Sequence, residues 1–360
     1  MNRIPPPNPK VRSSNLELYR IVCMLMIVAH HYVVNSGLIS SDSVMMAHPT
    51  AANSIYLFLF GMWGKTGINC FLMITGYFMC KSTITLRKFI KLLTWIYTYK
   101  VIIFLIFLIT GYETISVIRI VQIIMPIWGL NSNFTSCFIV FWLTIPFWNI
   151  LIQNMTKRQH QLLLCLLLGC YTILGSIPDF NVKFNYVTWF GIIYLIASYI
   201  RLYPNTKFKG TKKWGVITFV AISLNFLLAY MIILMKGVVP YFFVSDSNKI
   251  FAVLVAVSSF LWFKNMELSY SKTINMIGAS TFGVLLIHAN SSAMRTWLWK
   301  DAVDCVGHYA MSLPNLIVYS LGAILIIFII CIIIDIFRIK LLETPMFRLY
   351  DRRVRKQNKA

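Results

Sequence analysis

The stretch NLELYRIVCMLMIVAHHYVV, Asn15–Val34, is apolar over most of its length yet carries Arg20, His30 and His31. A helix of about 20 apolar residues crosses the hydrocarbon core of a bilayer. A cation or an imidazole in such a run is rare, and facing lipid it costs on the order of a few kcal/mol. Spacing gives the three residues a meaning. At about 100° per residue, Arg20 and His31 fall within roughly 20° of each other after three turns, about 16 Å apart along the axis. His30 points about 80° away from that face. Glu17, one turn before Arg20, lies on nearly the same side and suits an ion pair with it. Snorkelling to the interface explains Arg20 taken alone, and an interfacial position explains His31 taken alone. A shared face is better explained by a polar cavity inside a bundle of helices.

The rest of the chain supports a bundle. Its 360 residues are 58% hydrophobic and only 12% charged, with a mean hydropathy of +0.72; a soluble domain carries about 25% charged residues. Apolar runs of spanning length fall near 16–36, 55–80, 89–111, 133–153, 161–177, 183–203, 213–235, 249–264, 274–290 and 314–336. The expected fold is therefore an all-α polytopic membrane bundle of about ten transmembrane helices. The apolar stretch 114–131 contains Pro126 and Gly129, which favours a re-entrant or interfacial piece over a full crossing.

A net charge of +22 would suggest nucleic acid as a partner of a soluble protein; here it has a different reading, and no nucleic-acid partner is expected. Alternate loops and the two ends carry 24 of the 33 Lys and Arg residues. They are Arg3, Lys10 and Arg12; Lys81, Arg87, Lys88 and Lys91; Lys157 and Arg158; Arg201, Lys207, Lys209, Lys212 and Lys213; Lys264 and Lys272; and Arg338, Lys340, Arg348, Arg352, Arg353, Arg355, Lys356 and Lys359. The opposite loops carry Arg119, Lys183, Lys236, Lys249, Arg295 and Lys300, while Arg20, Lys65 and Lys100 lie within spans. This asymmetry places both termini in the cytoplasm. Arg20 within the first run, with no small-residue cleavage pattern after it, argues against a cleavable signal peptide. Seven of the eight cysteines lie in or at the ends of apolar runs, Cys305 has no loop partner, and no CxxC pattern occurs. Neither a disulfide framework nor a metal site is expected.

Arg20, ten intervening residues and His31 resemble the R-x10-H signature in the first helix of the acyltransferase-3 family, integral-membrane enzymes that acylate the sugars of cell-surface glycans. GKTGINCFLMITGYFM (Gly64–Met79) is similar to the family's second helix. NFTSCFIVFWLTIPFWNILI resembles its W-F-x-x-x-Y-L-x-x-Y-L-x-x-P segment, and STFGVLLIH (Ser280–His288) its late S-x-x-x-Y-L-x-H pattern. The basic loop departs from the family: LRKFIKLLTWIYTY lacks the usual R-I-x-P ending. Some relatives carry a C-terminal hydrolase-like domain that finishes the transfer; here any such step is expected of this protein alone or of a partner.

The resemblance implies transfer of an acyl group, usually acetyl, from acyl-coenzyme A to a hydroxyl of a surface polysaccharide or lipid-linked sugar. It implies a multi-pass protein of a bacterial plasma membrane, in contact with membrane lipid. Residues 1–340 would form the acyltransferase-3-like transmembrane domain and 341–360 a basic cytoplasmic tail. Acetyl-CoA would be the donor, its phosphates held by Arg87, Lys88 and Lys91, although loop charge alone explains these residues equally well. Arg20 would hold a phosphate or the donor carbonyl with its fork of donors. His31 would be the catalytic base or the acyl carrier, an imidazole being suited to either near neutral pH. His288, Lys65 and Asn69 would border the acceptor. The main alternative is a transporter or flippase of a lipid-linked sugar or other small molecule, without acyl transfer. Against proton coupling, only Glu17 and Asp335 among the eleven acids fall in expected spans, both near a cytoplasmic end.

Overall fold

The computed structural model describes residues 12–130, 133–180, 182–235 and 239–357. Arg3, Lys10, Lys236 and Lys359, used above for orientation, lie outside the described residues. The elements in chain order are α1 (Ser14–Val34), α2 (Val44–Ala47), α3 (Ala52–Gly61), α4 (Gly64–Met79), α5 (Leu86–Ile109), α6 (Val117–Ile124), α7 (Phe134–Asn154), α8 (Lys157–Leu168), α9 (Tyr186–Leu202), α10 (Thr211–Leu234), α11 (Ile250–Asn265), α12 (Lys272–His288), α13 (Ser292–Thr296), α14 (Leu313–Arg338) and α15 (Thr344–Gln357). No strand occurs among the described residues. Seven helical stretches are long and apolar enough to cross a membrane; α9 and α11 are apolar but shorter, and α12 has 17 residues.

Side chains tie the helix ends together, as they must where water cannot reach the backbone. At one end Asn15 Nδ2 donates to the carbonyls of Phe263, Lys264 and Met266 at 3.0–3.2 Å, closing the terminus of α11 with the start of α1. Asn149 of α7 donates to Met79 O at the close of α4. This is the basic end, since Arg87, Lys91 and Arg338 also lie there. At the opposite end Asn53 Nδ2 bonds the carbonyls of Tyr309 and Met311. The central helix is α1, packed on α3, α4 and α12.

The sequence suggests one unbroken span over 55–80, but the helix is interrupted at Met62 and Trp63. The cause lies in α1. His30 Nδ1 is 2.6 Å from Gly61 O and donates to that carbonyl, whose helical partner the break removes. A Cβ at Gly64 would fall inside the His30 ring, so only glycine lets α4 restart so close to α1.

Within the stretch 114–131, the described residues 114–130 form α6 and a turn through Pro126. Lys100 Nζ donates to Gln122 O at 2.9 Å and Tyr97 OH to Ile124 O at 2.6 Å. Both donors sit near the middle of α5, so the segment dips from the end of α5 towards its centre. The two donors satisfy carbonyls at the end of α6, the condition for irregular backbone inside a bilayer. Beyond α14 the chain stays helical, and α15 docks back on the start of α5 through Arg87 and Asp351.

Candidate active site

Arg20, Met24, Ile27 and His31 form one stripe of α1, each three or four residues from the next. His31, Ile27 and Met24 line a cavity of about 180 Å³ enclosed by α1, α4, α5, α12 and the start of α7. Towards the basic end the lining stops at Met24, one turn short of Arg20. Arg20 shares the face of His31 as its spacing requires, but it is not a wall of the cavity. Its Nε lies 3.8 Å from Glu17 Oε2, and Glu17 also pairs with Arg12 at 3.2 Å.

Against the cavity stands a pair of imidazoles. His31 Nδ1 lies 2.9 Å from His288 Nε2, and His288 Nδ1 lies 2.6 Å from Val284 O. A carbonyl can only accept, so His288 must carry its proton on Nδ1. Its Nε2 is then an acceptor, and His31 Nδ1 must be the donor. That leaves the lone pair on His31 Nε2. A single backbone carbonyl thus sets the tautomer of both rings. His288 is fully buried and absent from the cavity wall. Its sequence-based place beside the acceptor gives way to a place behind His31.

Of the other expected site residues, Lys65 does line the cavity. Its Nζ donates to Tyr186 OH at 2.5 Å and lies 3.7 Å from Asp246. Asn69 does not line it. Fully buried, it donates to Ser247 O at 2.7 Å and accepts from Trp189 Nε1 at 2.9 Å. It joins α4 to α9 and to the loop before α11.

Arg87, Lys88 and Lys91, expected in a loop, lie instead in the first turns of α5 and stand together at the basic end, each engaged. Arg87 makes two bonds to Asp351, at 2.9 and 3.0 Å. Lys91 pairs with Glu343 at 2.5 Å, and Lys88 bonds Ser82 and Thr83. Arg87 and Lys91 flank a recess of about 220 Å³ that also holds Arg348.

The acyltransferase domain family Acyl_transf_3 matches residues 13–335, nearly the whole chain. The chain belongs to this family. No curated protein and no solved structure matches it. An acyltransferase domain carried on apolar helices of spanning length makes it a multi-pass membrane acyltransferase.

Two residues of this cavity escape a reading of motifs alone. Lys100 and Arg295 both line the cavity. Lys100 signals itself, since an ionisable residue within a span is a candidate site residue by default. Arg295 gives no such signal, being one basic residue in a loop. It lies outside the long apolar helices, and burial lowers it from its ordinary value, although a guanidinium stays charged throughout.

Proposed function

We propose that the protein is a membrane-embedded O-acyltransferase, with acetyl the expected group, that moves an acyl group from cytoplasmic acyl-coenzyme A to a hydroxyl of a cell-surface polysaccharide or lipid-linked sugar. In this reading the chain crosses the plasma membrane about ten times, α9, α11 and α12 included, with the basic end in the cytoplasm. The observation that carries it is the oriented relay Val284 O, His288, His31, whose last free nitrogen faces a cavity.

His31 Nε2 takes the proton of the acceptor hydroxyl as that oxygen attacks the thioester carbonyl. The new C–O bond forms, the C–S bond breaks, and the departing thiolate recovers the proton from the imidazolium. His288 accepts from His31 Nδ1 throughout and holds the ring in its reactive tautomer. Donor phosphates would bind where Arg87, Lys88 and Lys91 cluster, displacing Asp351 and Glu343. The Arg87–Asp351 pair is about half exposed, and such pairs are worth under about 1 kcal/mol, so a phosphate can compete for it. Arg20 would meet the thioester between that recess and His31, which requires the chain around Met24 to open.

Proton-coupled transport has less support. Among the described residues the buried carboxylates are Glu17, Asp335 and Glu343, each held in an ion pair at the basic end. The test uses purified protein in lipid nanodiscs with radiolabelled acetyl-coenzyme A and a set of oligosaccharide acceptors. Ester formation that His31→Ala removes, with the protein still monodisperse, supports the reading. Counterflow of a lipid-linked sugar without acylation would replace it with the flippase.

A further inference from the structure

The cavity at His31 has an unbalanced charge. Lys65, Lys100 and Arg295 line it, and no carboxylate does. The nearest counter-charge is Asp246, behind the wall, which pairs with Lys65 and accepts from Tyr186 at 3.2 Å. Lys100 spends one donor on Gln122 O and keeps two. The Arg295 side chain makes no hydrogen bond or ion pair among the described residues.

The position of these cations excludes the bland explanation. Loop charge collects at the basic end, where it follows from membrane topology. Lys65, next to the first residue of α4, and Arg295, just past α12, stand at the other end, where basic residues are few. Lys100 lies in the half of α5 nearer that end. The cations therefore stand around His31, in the half of the bundle away from the basic end. Donor phosphates bound at the basic end are separated from them by the thioester and its pantetheine arm. A desolvated cation without a counter-charge is costly, so Arg295, which has no partner among the described residues, and Lys100, which bonds only a carbonyl, beside a Lys65 already paired with Asp246, indicate a ligand that brings further negative charge.

We infer that the acceptor sugar is anionic, with a carboxylate or phosphate close to the reacting hydroxyl, received by Arg295 and Lys100. The planar fork of Arg295 suits either group, each being bound through two parallel N–H···O bonds. This rests on the acyltransferase reading of the same site.

The experiment compares acceptors of equal size: a glucoside, the matching glucuronide and the matching glucose phosphate. Acyl transfer is read as kcat/KM in nanodiscs, and binding of each sugar by titration calorimetry without donor. A preference for an anionic acceptor of about tenfold or more is expected, the strength of one charge-assisted pair. Arg295→Gln should bring the ratio of anionic to neutral acceptor close to one, and Arg295→Lys should keep part of it. The carboxylate and phosphate arms tell the two anions apart.

Equal use of the neutral glucoside by the native protein would overturn the inference while leaving the acyltransferase intact. A ratio insensitive to Arg295→Gln would overturn it as well. So would an Arg295-dependent preference for succinyl- over acetyl-coenzyme A, since the charge would then sit on the acyl group. If no acceptor is acylated, the acyltransferase reading fails, and the calorimetry still decides whether the cavity selects anionic sugars.

Discussion

Two groups of charged residues lie inside this bundle, and they differ in closure. At the basic end Asp335 Oδ1 accepts from Arg338 Nε at 2.8 Å, from Trp95 Nε1 at 2.9 Å and from Tyr99 OH at 2.7 Å. Arg338 also bonds Glu343 at 2.8 Å, and Glu343 reaches Lys91. Two acids meet two cations, and the central pair is almost fully buried. At the His31 cavity three cations meet one acid at second hand, around empty space. An ionisable group in a span is thus not by itself a sign of chemistry. The closed group locks α5 to α14 and to the segment after it, whereas the open group lacks a partner that a substrate can supply.

The sharpest break of that comparison is His31→Ala. If the open group is the reaction centre, acyl transfer should fall by about 10²- to 10⁴-fold, the usual contribution of a positioned general base. Thermal stability should change little. Full activity with a stable fold would remove the distinction between the two groups.

The converse variant is Asp335→Ala. It leaves Arg338 buried without its partner, a change that typically costs about 3–5 kcal/mol. The midpoint of SDS-titrated unfolding should drop clearly. Activity per folded molecule should persist, because the cluster is not part of the cavity wall. Asp335→Asn should lose less, since an amide oxygen still accepts from Trp95 and Tyr99. An unchanged midpoint in both variants would mean that the cluster does not hold the helices.

A finer test addresses the relay. His288→Leu removes the acceptor behind His31 and frees its tautomer. A fall of about 10- to 100-fold is expected, the order seen when a metal-bound imidazole loses its outer partner, and here it should appear in kcat rather than in donor KM. Gln offers an oxygen near the place of Nε2, so His288→Gln should recover part of the rate. Each variant combined with His31→Ala should be no slower than His31→Ala alone.

Much of the helical frame could be read from the amino-acid pattern, because hydrophobic length is a strong signal. Expected limits of 16–36 for the first helix meet Ser14–Val34. Motif and periodicity singled out His31 and Lys65, which both line the cavity. What escaped depended on contacts between distant segments. The break after Gly61 needs a carbonyl bond from His30, a different helix. Asn69 reads as a polar residue one turn from Lys65, yet Trp189 and Ser247 draw it away from the cavity. Asp335, Arg338, Glu343 and Lys91 come from two regions more than 240 positions apart, so no local pattern announces them, and Arg338 reads simply as tail charge. The cavity ends at Met24 because of packing depth, which helical spacing does not encode.

The smallest expected effects concern the basic recess. Arg87 and Asp351 are each nearly half exposed, so Asp351→Ala should change stability by less than about 1 kcal/mol. Its effect on the donor is the informative one. If acyl-coenzyme A phosphates compete with Asp351 for Arg87, removing the acid lowers donor KM, and Arg87→Ala raises it while kcat stays close to native. The salt dependence of KM should weaken in Arg87→Ala, since one exposed cation is lost. Arg20→Lys separates the two sites. Charge survives there without the bidentate fork, so a partial fall in kcat with donor KM unmoved would place Arg20 at the thioester. A rise in donor KM matching that of Arg87→Ala would place it with the phosphates instead. Full activity would leave its ion pair with Glu17 as its whole role, and the stripe from Arg20 to His31 would then unite a structural pair with a catalytic imidazole.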